Sequence, residues 1–153
     1  MKELKGDILT VKEGYICHQV NVNGVMGAGL ACQIKYKWPH VYNKYRSVCF
    51  QYEKEKSKLL GKILTVPVDN KLSIVNLFGQ YLYRDTRQTR YDAVADGFEL
   101  ISKSLKIKKN LYVPKFMGCG LGGGQWDIYL AIITHYIPDV NVVEYKNENV
   151  NYR

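Results

Sequence analysis

The chain is predicted to be α/β, a three-layer α/β/α sandwich around a mixed central sheet, and three observations carry that prediction. Short apolar runs rich in Val, Ile and Leu recur at residues 15–20, 63–68, 72–77, 111–114 and 140–145. Segments whose apolar residues return every three or four positions alternate with them, at 30–37, 39–49, 93–105 and 126–136. Glycine clusters join strand to helix at two places, 21–31 and 118–124. Strands fed by crossover helices are buried on both sides, so helices should cover both faces of the sheet.

The 153 residues suit one domain, and 46% hydrophobic with 24% charged residues is the balance of a chain that folds. No repeat or linker divides residues 1–153. Neither an apolar run of spanning length nor a charged-then-apolar leader is present, which predicts a cytoplasmic chain without a membrane partner. Cys17, Cys32, Cys49 and Cys119 are scattered without a C-x-x-C pair, so reduced thiols are expected rather than a zinc site or a disulfide framework. Lys and Arg number 22 against 14 Asp and Glu, a formal +8 that favours anionic partners. The basic residues spread from Lys2 to Arg153, which weakens the case for a dedicated nucleic-acid stripe.

In chain order, residues 4–10 have strand character interrupted at Gly6-Asp7, and 15–20 form a clearer strand. Leu30, Ala31, Ile34 and Trp38 repeat at helical spacing until Pro39, which ends that helix and suits the first turn of the next. Val41, Tyr42, Tyr45, Val48 and Cys49 mark the second helix's face. Residues 53–58 alternate acid and base and read as a solvated helix end or loop without chemistry. Two strands follow, at 63–68 and 72–77, about a turn at Asp69-Asn70. Residues 78–89 are polar, aromatic and basic without periodicity, as expected of a functional loop. Thr89 with Asp92 resembles a helix start ahead of Ala93, Val94, Gly97, Phe98, Ile101 and Leu105. A short buried strand at 111–114 leads into the second glycine turn, then a helix at 126–136 with Ile128, Ala131, Ile132 and His135 in register. A last strand at 140–145 precedes a polar tail.

The glycine turns are the candidate site. Glycine allows backbone to approach a ligand closely, and a helix N-terminus offers unpaired N–H groups and a partial positive charge. Gly118-Cys119-Gly120-Leu121-Gly122-Gly123 matches G-x-G-x-x-G literally, yet only one helix and one strand follow it, whereas a dinucleotide fold opens with that fingerprint. No Gly-Lys-Ser/Thr follows either turn, which excludes a P-loop. Two such turns at strand carboxyl ends in one α/β sheet predict that both face one phosphate-bearing ligand.

Gly6-Asp7-Ile8-Leu9, His18-x-x-Asn21-x-Asn23-Gly24-x-Met26-Gly27-Ala28-Gly29-Leu30-Ala31, Asn76-Leu77-Phe78-Gly79-Gln80 and Pro114-x-x-x-Gly118-Cys119-Gly120-Leu121-Gly122-Gly123-Gly124-x-Trp126 follow one another along the chain, ending at Val142 to Tyr145. In these residues the chain resembles the macro domains that bind ADP-ribose. The likeness extends to the branch holding ADP-ribose-1″-phosphate phosphatases and terminal ADP-ribose glycohydrolases. It implies that Asp7 takes the adenine amino group and the Ile8 backbone reads the ring. Tyr145 would stack on adenine near Asn147, and Phe78 would pack beside the distal ribose. Gly27, Ala28 and Gly29 would face the diphosphate from one side, and Gly118, Gly120, Leu121, Gly122, Gly123 and Gly124 from the other. Asn21 and Asn23 would line the distal ribose as the reacting end, with His18 as a possible acid or base. Arg84, Arg87 and Arg90 would be available to a terminal phosphate. The glycohydrolases' lysine would fall near Gly79-Gln80 and their aspartate at Gly122, and neither is present. The preferred expectation is hydrolysis of ADP-ribose 1″-phosphate without metal or cofactor. Removal of ADP-ribose from modified macromolecules and a non-catalytic reader of ADP-ribose are the alternatives.

Overall fold

The computed structural model describes residues 1–82, 88–105 and 110–152. β1, Lys2–Asp7, buries Leu4 and leaves its lysines outside; Asp7 then caps a 3-10 turn, Ile8–Thr10, by accepting from the Leu9 N–H at 2.9 Å. β2, Gly14–Asn21, is almost wholly buried and leads through the first glycine turn into α1, Gly29–Lys37. Pro39 opens α2, Pro39–Gln51, which buries Val41, Tyr45 and Cys49 at the spacing of one helical face. β3, Ile63–Pro67, and β4, Leu72–Gln80, form a hairpin whose turn Asp69 holds by accepting from Lys71 and Leu72 N–H at 2.7 and 2.8 Å. α3, Tyr91–Ser104, β5, Leu111–Pro114, α4, Trp126–Tyr136, and β6, Asn141–Asn149, complete the order.

The six strands lie in the order β1-β6-β5-β2-β4-β3. All neighbours are parallel except β3, which runs antiparallel on the edge beside β4. The sheet is therefore mixed and carries helices on both faces, as predicted. The pleat sends Cys17, Val75 and Val113 to one side, under Phe98 of α3 and Ile133 of α4. Ile16, Ile74 and Tyr112 go to the other, under Ile34 of α1 and Val41 of α2. Burying a side chain such as Phe98 or Ile133 contributes roughly 1.5–3 kcal/mol. Among the described residues no helix is long and apolar enough to cross a membrane.

Four details differ from the expectations. β4 runs past Leu77 to Gln80, so the polar segment begins inside the sheet. Residues 146–149 extend β6 rather than forming a tail. Helix α3 begins at Tyr91 with no side-chain cap, because Thr89 turns inward, 1% exposed, instead of capping. Helix α4 buries Tyr129 and Ile133, while Ile128 is 40% exposed. That helix is apolar nearly all round, so periodicity could not choose its inner face.

One consequence of this topology matters most for function. After β2 the chain leaves to the α1/α2 face; after the adjacent parallel β5 it leaves to the α3/α4 face. Connections that part in this way open a crevice at the strand carboxyl ends, where open α/β sheets bind ligands.

Candidate functional site

A cleft of about 510 Å³ occupies that crevice. His18, Gln19 and Asn21 at the end of β2 form its floor, Gly27 to Ala31 its α1 wall, and Pro114 to Gly118 with Gly120 to Gly122 the opposite wall; Gln80 closes one end. Residues of both glycine turns therefore line one cavity.

The α1 wall follows from the turn. Ala28 holds the N-cap position without a side-chain bond and Gly29 follows at φ +57°, so the first-turn N–H groups stay uncovered. A side chain at Gly29 or Gly120 would meet no atom within 4 Å. Both point to the open side of the cavity. The opposite turn is braced from below. Gly118 sits at φ +73°, and a Cβ there would lie 2.4 Å from the Tyr129 ring, so only glycine fits. The Gly123 and Gly124 N–H groups donate back to Gly120 O and Gly118 O at 3.0 and 2.8 Å. Of the run expected to face a diphosphate, Gly123 and Gly124 therefore spend their donors inside the turn and do not line the cleft. Among the described residues the Gly120, Leu121 and Gly122 N–H groups have no such internal partner.

Beneath both turns lies a polar cluster that sequence reasoning missed. Gln19 donates through Nε2 to Gln80 Oε1 at 2.8 Å and to Thr89 Oγ1 at 2.9 Å, and accepts from the Tyr129 hydroxyl at 2.8 Å. Thr89 passes its own proton to Gly118 O at 2.7 Å, while the Gln88 and Thr89 N–H groups donate to Gly122 O. Three segments are joined through part-buried amides and hydroxyls, each satisfied. A Cβ at Gly122 would fall 2.5 Å from Thr89 Oγ1, so the absent aspartate could not be accommodated there. The available signal was a glutamine facing inward within an apolar strand.

Asn21 is 5% exposed and works as a staple. Its Nδ2 donates to Val25 O at 2.8 Å, while Oδ1 accepts from Asn23 N–H and from the Tyr45 hydroxyl. Its side chain thus holds the turn while the residue lines the cleft. Asn23 stands beside the cleft rather than in its lining, donating through Nδ2 to Tyr81 O and accepting from Lys56 Nζ at 2.8 Å. The charged stretch read as inert therefore delivers a lysine to this turn.

His18 is 2% exposed. Asn76 Nδ2 donates to Leu64 O, so Asn76 Oδ1 faces the imidazole and accepts from Nε2 at 2.6 Å; Nδ1 is buried without a partner. Burial lowers the His18 pKa to about 4, only partly offset by the bond to Asn76. The ring is therefore neutral near pH 7, and of the acid and base roles expected for it the neutral ring suits only that of an acceptor.

Phe78 is corrected too. It is 1% exposed and stacks on Tyr45 at 5.9 Å, inside the core under α2, because the β4 pleat directs it away from the cleft. At the far end, Asp7, Ile8, Tyr145 and Asn147 lie outside the lining. Tyr145 is 69% exposed and pairs in register with Gly6, and the register then slips so that Asp7 pairs with Asn149, which brings Asn147 to the same rim. Ile8 is buried, and Asp7 holds its turn through one carboxylate oxygen. Arg90 is paired with Asp92 at 2.9 Å on the surface; Arg84 and Arg87 lie outside the described residues. Among the described residues no group of His, Cys, Asp and Glu could hold a metal ion. Phe116, at φ +65° and packed on Trp126, also lines the cleft without having been expected, as does Lys115. Nothing local in the sequence marks a left-handed phenylalanine.

No protein-family model matches the chain. It is 28% identical, over 91% of its length, to a DNA ADP-ribosyl transferase-DNA ADP-ribosyl glycohydrolase fusion protein of Thermosipho africanus, of which it spans 39%. The first curated relatives are thus longer, and the chain spans about two fifths of each. It is 27% identical to an ADP-ribose 1″-phosphate phosphatase of Candida glabrata, covering 94% of this chain and 96% of that one. Among solved structures, the macrodomain of Mycobacterium tuberculosis DarG superposes with a TM-score of 0.72 at 25% identity, covering 94% of this chain and 95% of that one. Thermosipho africanus DarTG in complex with ADP-ribose gives 0.74 at 25% identity, covering 94% and 41%.

Proposed function

We propose that the chain, which has the macrodomain fold, binds ADP-ribose or a close derivative in its cleft and hydrolyses ADP-ribose 1″-phosphate. The observation that carries the reading is the crevice between β2 and β5, walled by two glycine turns with uncovered N–H groups from opposite faces of the sheet. In this pose the diphosphate lies between the α1 N-terminus with Gly27, Ala28 and Gly29 and the N–H groups of Gly120, Leu121 and Gly122. The adenosine extends over the ends of β1 and β6, toward Asp7, Ile8, Tyr145 and Asn147. The distal ribose extends over the ends of β2 and β4, toward Asn23 and Gln80.

Two features favour ester hydrolysis over glycosyl transfer to a lysine. Gln80 stands where the glycohydrolases' lysine would fall, and its amide is already bonded to Gln19 and Leu82. Gly122 has no space for a carboxylate. In the proposed reaction water adds at phosphorus and the bond from phosphorus to O1″ breaks. ADP-ribose leaves with a 1″-hydroxyl, and the proton lost by water goes to solvent or phosphate. The cleft contributes positioning and electrostatic stabilisation. The match to the Candida glabrata phosphatase over nearly its whole length supports this choice.

A second reading, removal of ADP-ribose from nucleic acid or protein, draws on the glycohydrolase relatives. Incubation with ADP-ribose 1″-phosphate should release inorganic phosphate, with calorimetry showing ADP-ribose binding. Binding without release would leave a reader, and no binding at millimolar ligand would end the assignment of the cleft.

A further inference from the structure

We propose that the outer surface of α2 is a docking site for single-stranded nucleic acid, separate from the cleft and independent of the reaction performed there. Charge is segregated between the two helical layers. Residues 29–62, which make the layer of α1 and α2, hold eight Lys and Arg against two Glu, a net +6 within a chain of formal +8. On the other face, α3 and α4 hold Asp92, Asp96, Glu99 and Asp127 against Lys103. The basic residues are scattered in sequence, and the fold gathers them on one side of the sheet.

Within that layer α2 sets an exposed ring among cations. Val41, Tyr45 and Cys49 face the core, which turns Asn43, Arg46, Ser47 and Phe50 outward. Phe50 is 74% exposed, with Arg46 one turn before it and Lys54 in the turn that closes the helix. A Cβ at Gly24 would lie 3.8 Å from Arg46 Cγ, so the Arg46 stem runs beside the first glycine turn. Among the described residues neither Arg46 nor Lys54 has a carboxylate within ion-pair distance; Lys58 is the one cation of this layer that does, with Glu55 at 2.8 Å. Uncompensated like charges repel one another, and a bare phenyl ring leaves apolar surface in water. A single strand relieves both, since its phosphates meet the cations and the flat face of an unpaired base covers the ring. A duplex keeps those faces inside its stack, and an acidic peptide offers carboxylates without them.

The test is fluorescence anisotropy with a labelled oligothymidylate of about fifteen nucleotides, a length that spans ordinary single-strand sites. Wild type should bind it at low salt and lose affinity as salt rises. Arg46→Gln with Lys54→Gln should flatten the slope of log affinity against log salt by about 1.4, at about 0.7 for each cation removed. Phe50→Ala should weaken binding about tenfold at an unchanged slope, the scale of one stacked base, while Phe50→Tyr retains it. Lys103→Gln, on the opposite layer, should bind as wild type. Absence of binding at low salt would overturn the assignment, and so would a Phe50→Ala variant that binds as tightly as wild type. An equal loss in Lys103→Gln would reduce the effect to net charge and overturn it too. Affinity for the duplex or for polyglutamate that matches the single strand would assign the surface to another partner.

Discussion

His18 shows how a residue type changes meaning with its surroundings. On an open surface an imidazole titrates near pH 6.5 and is a natural acid or base. Here it is walled in beside Asn76, and burial holds its pKa to about 4. Between those two values the unfolded chain takes up a proton that the native state refuses. Stability must therefore fall as pH drops from about 6.5 to about 4, and level off below. The span is worth up to about 3 kcal/mol at 1.36 kcal/mol per pH unit. Denaturant melts of wild type against His18→Gln, which keeps a donor for Asn76, should show that slope in wild type and a flatter line in the variant. Asn21 and Phe78 carry the same lesson: the first lines the cleft and also staples its turn, and the second is a core aromatic.

At the scale of elements, the second glycine turn depends on side chains from elsewhere in the chain. Gln19 of β2, Thr89 ahead of α3 and Tyr129 of α4 meet under it, and Thr89 is the member that touches both the amide cluster and Gly118 O. Thr89→Val keeps the volume but removes the hydroxyl, leaving a part-buried amide hydrogen and a carbonyl each short of a partner. The expected cost is about 1–3 kcal/mol in a urea melt. ADP-ribose affinity should fall as well, because the turn that offers the Gly120 to Gly122 N–H groups loses its brace. A variant that melts like wild type and binds like wild type would show that the cluster does not position the turn.

At the scale of the molecule, the proposed ligand lies across the carboxyl ends of five strands, and that span separates its two halves. Adenine would meet β1 and β6 while the distal ribose meets β2 and β4. Asp7→Ala should then weaken ADP-ribose binding by about tenfold, the value of one hydrogen bond from a charged group, while ribose 5-phosphate binding is unaffected. Because Asp7 also caps its own turn, Asp7→Ala is expected to lose about 1 kcal/mol of stability. Asp7→Asn separates the two effects, since it keeps the cap and loses the charge. Equal loss of both ligands in calorimetry would remove Asp7 from the adenine site.

Much of the fold is legible in the chain because its signals are local. Pro39 stops one helix and starts another, β-branched runs set five of the six strands, and glycine clusters mark the turns that wall the cleft. Which side of α4 is buried is not legible, since an almost uniformly apolar helix has no preferred face until Tyr129 finds Gln19. The same holds for Lys56, one member of an alternating charged run until a core-anchored turn points it at Asn23. Local periodicity and backbone chemistry determine where strands, helices and turns form. Only the tertiary structure brings together groups distant in sequence, because their meeting depends on which face of the sheet each connection takes.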